Sequence, residues 1–554
     1  MRLMVLACAA TFGLAQADIP DPPSRVARIS YLDGPVSLKP GGVDDWVPAL
    51  FNRPMTTGEG IWSDAGSRVE LSLGTSAIRL SQQTAMSFLA LDDNTTQIRL
   101  DQGAVEITVK KLDGSERYEV DTPNTAYLLK APGEYRFDVN EDGQLTALVV
   151  RTGVVEAAGG GQKFNVNAPE MARVSGSDSI HYQSGPAPQA DDFEEWATSR
   201  DQRTEIADQV PQEVIGHEDL DPQGWSADSQ YGLAWQPTDV AADWTPYSDG
   251  RWVSVQPWGW TWVDSRPWGF ATYHYGRWVL IRGHWAWVPG LMGPRPVYAP
   301  ALVAFVGGPS LGRNVGWFPL GPGEAYIPAY HASPFYVNRL NGTNVDLSRV
   351  NAANMSYMNR GHVTLMQRDA FVNARTVQQG RAFSAPNSFA GMRVLNPSSI
   401  QPVRASILGY DHNPAYVAHP PAALVNRSVV VRNMVGTSRL GGQRVTAAAP
   451  VQRPVTKAEN KRIQPQQQAQ SKLDAARQKQ AAKAQQEQQK RIAKQQQQQK
   501  KLDAQRQKLQ AKQLARQQQQ QRKFARMQQR QAARANAAKT AARSTVVVKA
   551  SSKK

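Results

Sequence analysis

Cysteine is all but missing from this 554-residue chain, which has one, Cys8, inside an apolar N-terminal stretch. A chain trimmed after that stretch would carry no disulfide and no thiolate metal site. Long hydrophobic runs are missing too: beyond Leu3–Leu14 nothing approaches the roughly 20 apolar residues that span a bilayer, so no transmembrane anchor is expected. No Gly-Lys-Ser or Gly-Lys-Thr phosphate cradle occurs, and no dinucleotide fingerprint follows a convincing strand. The eight histidines are scattered. Only His274 and His284 fall between Trp225 and Trp317, ten residues apart and without carboxylates or cysteines between them, a poor metal-ligand set. No metal, no cofactor and no enzymatic activity are expected.

Acidic residues are scarce in one place. Residues 453–554 hold 27 Lys or Arg against Glu459, Asp474, Glu487 and Asp503, while residues 1–452 hold 36 basic and 43 acidic side chains. The overall charge of +16 therefore hides a mildly acidic body with a strongly basic tail. The tail is rich in Gln, Lys, Arg and Ala. Its large apolar residues, such as Leu473, Ile492, Leu502 and Leu509, are too sparse for a sustained heptad seam. A solvated, fluctuating helix or a disordered spacer is expected rather than a coiled coil.

The start of the chain reads as an export signal over residues 1–17: Arg2, an apolar core, then Ala15-Gln16-Ala17 before Asp18. A rival reading makes Cys8 a lipid-attachment site, which would need a start further upstream. The product is expected in the periplasm or outside the cell.

What is present is mainly β patterning. Val69–Leu73, Val105–Val109 and Tyr135–Val139 each alternate apolar and polar residues, as half-buried strands do. Asp33-Gly34, Asp113-Gly114 and Asp142-Gly143 punctuate them as tight-turn signals. Residues 25–180 are expected to form an all-β domain, a sandwich or a short stacked roll. Residues 181–221 read as an acidic linker with a short helix from Ala190, stopped at Pro211.

Tryptophan is concentrated: twelve of fifteen lie between Trp225 and Trp317. Gly-Arg-Trp-Val at 250–253 returns at 276–279, and Trp-Thr-Trp-Val at 260–263 returns as Trp-Ala-Trp-Val at 285–288. Units this short must share a core. Residues 222–340 are thus expected to form a second, aromatic-rich, short-strand β domain, and residues 341–452 an Asn/Arg/Val-rich extension of low structure. Trp258, Trp260 and Trp262 alternate with Gly259 and Thr261 and would share one strand face, either as sheet core or as a stacking strip for ligand rings together with Trp285 and Trp287. The core reading is preferred, because large aromatics dominate small cores.

Two motifs imitate chemistry. Gly308-Pro309-Ser310-Leu311-Gly312 has the form of a nucleophile elbow, but the elbow must feed a helix and Arg313–Pro319 begins one poorly, which makes Ser310 a loop serine. Asp138, Asn140, Asp142 and Gly143 resemble the opening of a calcium loop. The twelfth position is Val149, so a hairpin is the better reading.

Gly34-Pro35-Val36-Ser37-Leu38, Ser67-Arg68-Val69-Glu70-Leu71, Asp121-Thr122-Pro123 and Pro132-Gly133-Glu134-Tyr135-Arg136 together resemble the FecR domain family of bacterial envelope proteins. The Trp-rich segment, with Val315-Gly316-Trp317-Phe318-Pro319, is similar to an uncharacterised repeat region that often follows such domains in exported proteins. FecR-type regulators carry a cytoplasmic sigma-binding segment and a membrane span, and neither is found here, so direct sigma-factor control is not expected. The reading that results is a non-enzymatic exported envelope protein. Its β body would contact a glycan or protein partner, and its tail would be drawn to anionic envelope polymers and, non-specifically, to nucleic acid. The alternative is a periplasmic FecR-like sensor or regulatory accessory acting through protein contacts.

Overall fold

The computed structural model describes residues 20–445, apart from 205–208, 291, 293–294, 308–310, 343–355, 383–391, 397–398, 410–416, 426 and 433–441. The expected leader, the tail 453–554 and Ser310 lie outside the described residues.

The protein is mainly β. Its first seventeen strands, from Ala27–Asp33 to His181–Pro186, form one continuous hydrogen-bonded system. The strand that joins it is Thr95–Val109, fifteen residues long. Its first half pairs with Thr84–Leu91 and, in parallel, with Arg117–Asp121. Its second half pairs with Ser76–Leu80 and Gly133–Val139. One strand therefore serves two ladders. The change of ladder falls at Gly103, whose φ is +91° and where a Cβ would sit 2.3 Å from Thr84 Oγ1, so a side chain there is excluded.

Between the ladders lies an aliphatic core including Ile29, Leu71, Ile78, Ile98, Val105, Ile107, Val120 and Leu148. Each such side chain contributes roughly 1.5–3 kcal/mol on burial. The alternation works as expected at Gly133–Val139, where Tyr135, Phe137 and Val139 point inward. It fails on Arg68–Ser72, where Glu70 and Ser72 are buried as well, because the helix Asp192–Thr204 covers that face. Of the three Asp-Gly signals only Asp142-Gly143 closes a hairpin, between Gly133–Val139 and Leu145–Thr152. Asp33-Gly34 turns a corner from one ladder to the other. Asp113-Gly114 lies in the crossover to a parallel neighbour.

The aromatic region is a set of hairpins. Hairpin A joins Trp225–Asp228 to Gly232–Trp235, B joins Gly250–Val255 to Gly259–Asp264, C joins Arg277–Ile281 to His284–Val288, and D joins Val303–Gly307 to Asn314–Pro319. Each sets two aromatic residues directly opposite: Trp225 and Trp235, Trp252 and Trp262, Trp278 and Trp287, Phe305 and Trp317. B and C are the repeat seen in the sequence, with matching register. They differ at the tip: C turns on Arg282 and Gly283, both at positive φ, the geometry of a two-residue hairpin turn, while B carries Gln256-Pro257-Trp258 between its paired ends.

The described residues beyond 341 add to the aromatic region. They supply Thr364–Gln367 and Arg393–Leu395, which flank hairpin D, and they bury Met366, Phe371, Ala374, Val377 and Ile400 in the aromatic core. Phe371 packs 4.4 Å from Trp260, centroid to centroid. The elements are short and gain their order from tertiary packing, so local patterning gives little sign of them.

Candidate functional site

The five tryptophans singled out in the sequence are all interior. Trp262 and Trp287 are 0% exposed, Trp258 3%, and Trp260 and Trp285 each 8%. Trp260 and Trp262 lie on the second strand of hairpin B, whereas Trp258 sits in the turn before it, so the three do not form one strand strip. Their rings already have partners: Trp258 against Tyr298 at 5.1 Å, Trp262 against Trp252 at 5.4 Å, Trp285 against His362 at 5.2 Å and Trp287 against Trp225 at 6.0 Å. Stacking a ligand on them would first require displacing these neighbours. Trp258 and Trp260 do border a cavity of about 880 Å³, shared with Phe305, Tyr326 and Tyr330 and lined, among the described residues, by no charged side chain.

A buried indole usually finds a partner for its N–H, and most of those here do, Trp244 and Trp252 being exceptions among the described residues. Trp260 donates to Ile400 O at 2.7 Å, Trp287 to Tyr275 O at 2.8 Å, Trp278 to Thr272 O at 2.9 Å and Trp317 to Tyr247 O at 3.0 Å. Trp262 donates to the Asp264 carboxylate at 2.9 Å. Burial raises that carboxyl to about 8, against the pull of the Arg266 N–H and the Trp262 indole. His274 is held by the Ala299 carbonyl at 2.7 Å, and burial lowers it to about 3. It is a neutral core group. The pseudo-calcium residues also have structural tasks: Asn140 Oδ1 accepts from Leu145 N and Asp142 Oδ1 from Gln144 N, which shapes the hairpin turn. Among the described residues no group of three or more His, Cys, Asp or Glu is placed to hold a metal, and no helix is long and apolar enough to cross a membrane.

Charge is concentrated in two places that the sequence did not announce. The first is a seam between the two β regions. Arg28, fully buried, projects away from the aliphatic core that holds its neighbours Ala27 and Ile29. It pairs with Asp219 at 2.6 Å and donates to Pro267 O and Asn52 Oδ1, each at 2.8 Å. Asn52, in the left-handed region at φ +64°, donates in turn to Asp264 O and Arg266 O. Gly216 makes room: a Cβ there would lie 2.9 Å from Arg28 Nη1.

The second is the cover formed by the acidic helix. Adjacent strands place Glu70 opposite Arg79, Arg79 opposite Glu106 and Glu106 opposite Arg136, a row of alternating acidic and basic side chains. From the helix, Asp201 takes Arg79 at 2.7 Å and Arg200 reaches Glu70 at 2.6 Å, while the preceding Asp191 takes Arg136 at 2.7 Å. Burial pushes Glu70 up, but Arg200 and Arg79 outweigh it and hold the carboxyl at about 2. Glu106 has no such pairing, and burial raises it to about 8 despite Arg79. The partners lie as far apart as 130 residues, which explains why local patterning showed only a linker. The acidic stretch set between two β regions was the one available signal.

Residues 59–156, which hold the strand shared by the two ladders, match the family model for FecR protein. The chain contains a FecR domain. Residues 217–324, from the Arg28 seam through hairpin D, match DUF6600, a family of unknown function. Two crystal structures of a protein proposed as an anti-sigma factor from Parabacteroides distasonis ATCC 8503 are similar to the chain at 16% and 17% identity, each with a TM-score of 0.21. In each case the match covers 23% of this chain and 59% of that one, so the chain spans about three fifths of the solved protein's length. No curated protein matches.

Proposed function

We propose that this protein is a non-catalytic sensor or regulatory accessory of the cell envelope, acting through protein contacts made by its FecR domain. The FecR match over residues 59–156 carries the reading. Two physical features support it. The polar groups that could suggest chemistry, His274, Asp138, Asn140 and Asp142, are engaged in packing, ion pairs and turns. Among the described residues the two ladders end in exposed strands, Gln162–Asn167 and His181–Pro186, each paired on one side only. Across these ends Phe164 and Tyr182 stack at 3.8 Å. Open edges of this kind accept an added strand from a partner.

The basic tail supplies a second, weaker attachment in this proposal, a salt-sensitive attraction to anionic envelope polymers.

The test is a photo-crosslinking residue placed in the full chain at Asn165 or Gln183 on the open edges, or at Arg282 on hairpin C as a control. The expected result is a discrete adduct with one envelope transducer or membrane regulator from the edge positions only. Equal adducts from Arg282, or none from either edge, would overturn the assignment.

A further inference from the structure

A segment from the C-terminal part of the first unit returns to the FecR domain. Of residues 418–432, the described ones, 418–425 and 427–432, lie over the face of one ladder that is turned away from the aliphatic core. Ile61, Leu100 and Val120 point into that core, and their sequence neighbours Trp62, Asp101, Glu119 and Asp121 therefore face the other way.

The contacts run along the segment in order. Ala418 and Leu424 form a small apolar cluster with Trp62 and Ala85, with Trp46 packed against it. Arg427 Nη1 then donates to Asp101 O at 2.7 Å and Nη2 to Glu141 O at 2.6 Å, while Arg99 donates to Arg427 O at 2.5 Å. Gly143 leaves the space that the guanidinium fills: a Cβ there would lie 3.1 Å from it. Further on, in the strand Val429–Arg432, Val430 N donates to Thr122 O at 2.9 Å. Arg432 N donates to Glu119 Oε1 at 3.1 Å, and the Arg432 guanidinium pairs with Glu156. Glu119 and Asp121 are both 0% exposed, so this strand closes over two buried carboxyl groups.

This is the chemistry of peptide recognition: an apolar anchor in an aromatic pocket, an arginine in a cradle of carbonyls, one strand-like backbone bond, and a second arginine on acidic residues. The segment contributes nothing to the aliphatic core that holds the ladders together.

We propose that this face of the FecR domain is a peptide-binding groove, that residues 418–432 occupy it in cis, and that its partner is an extended segment of another protein. That segment would carry a large apolar residue followed three and eight residues later by arginine, as Leu424, Arg427 and Arg432 are spaced here. The groove is distinct from the open strand edges and does not depend on the sensor reading. A resident segment of the same chain acts at an effective concentration on the order of millimolar, so the groove is closed until that segment is displaced.

The test uses the full chain and a fluorescein-labelled peptide of residues 418–432, read by anisotropy. A Leu424→Asp/Arg427→Glu variant releases the resident segment and is expected to bind the peptide at least tenfold more tightly than the unaltered protein. Adding Glu156→Arg should weaken that binding about fivefold, and a peptide carrying Arg432→Glu should recover it. Equal binding by the unaltered and released proteins would overturn the proposal. So would the absence of binding by a released variant with an unchanged melting temperature, or a dimer on size exclusion whose copies exchange the segment. Independently of any variant, excess unlabelled peptide should speed amide exchange at Val430 of the unaltered protein about tenfold. An unchanged rate there would also overturn it.

Discussion

In the FecR domain strands of up to fifteen residues cross-pair into two long ladders, and Ile, Val and Leu side chains fill the space between them. In the aromatic region the strands run four to six residues, and the core is built from indoles such as Trp252, Trp262, Trp278, Trp287 and Trp317. The difference follows from how much side chain each residue of backbone must supply. A long ladder buries many medium-sized side chains. A short hairpin offers only two or three inward positions, and each must carry about 150–250 Å² of buried surface to compensate. That choice brings a polar N–H inside with each indole; carbonyls and the Asp264 and Asp239 carboxyl groups receive several of them, while those of Trp244 and Trp252 have no hydrogen-bond partner among the described residues. In the first core only the tyrosines raise the same demand, as where the Tyr135 hydroxyl donates to Ala131 O at 2.6 Å.

This contrast can be tested by substitution. Trp262→Ala removes a fully buried ring and leaves the Asp264 carboxyl without its indole donor. The expected loss is about 5 kcal/mol in chemical denaturation, with hairpins B and D losing amide protection first. A uniform loss of protection across both regions would show that the two cores unfold as one. Arg28→Ala strikes the seam instead and removes the guanidinium that Asp219 meets at 2.6 Å. It should cost about 3 kcal/mol and raise exchange around residues 215–219 and 266–271, with little change inside the ladders.

Glu106→Gln addresses the ionic cover. Its folded pKa, raised by burial to about 8, lies above the ordinary carboxylate value, so the folded state holds a proton that the unfolded chain has released. Stability from this group is present below about pH 4.5 and is lost as pH rises toward 8. The amide should therefore stabilise the protein by about 1–2 kcal/mol at pH 8 and flatten the melting temperature between pH 5 and 8. An unchanged pH profile would show Glu106 to be ionised and paired. The smallest effect is expected at Ile107→Val in the aliphatic core, about 1 kcal/mol with no change in pH dependence. A cost there equal to that of Trp262→Ala would abolish the contrast between the two cores.

Several parts of this architecture were legible because they depend on near neighbours in the chain. Tyr135, Phe137 and Val139 alternate, and the strand forms as read. The repeat at 250–263 and 276–288 became two hairpins of matching register. Where a reading depended on which surface lies opposite, the residues alone were not enough. Glu70 and Arg79 look like ordinary solvent-facing strand positions until helix Asp192–Thr204 lies over them. Trp258 alternates with Trp260 and Trp262 by sequence, but the tip of hairpin B claims it. Phe371 gives little sign of belonging to the aromatic core until its contact with Trp260 is seen.

The sequence by itself determined the mainly β class, the two contrasting regions and the preference for tryptophans as core, because periodicity and side-chain size act locally on every strand. Only the tertiary structure decided which faces are closed. The Arg28 seam, the ionic row under the acidic helix and the segment over Glu119 and Asp121 join residues far apart in the chain, from Arg136 with Asp191 to Arg427 with Asp101, which are 326 positions apart. Whether a charged side chain is solvated or buried depends on what the folded chain brings back to it, and no local pattern encodes that return.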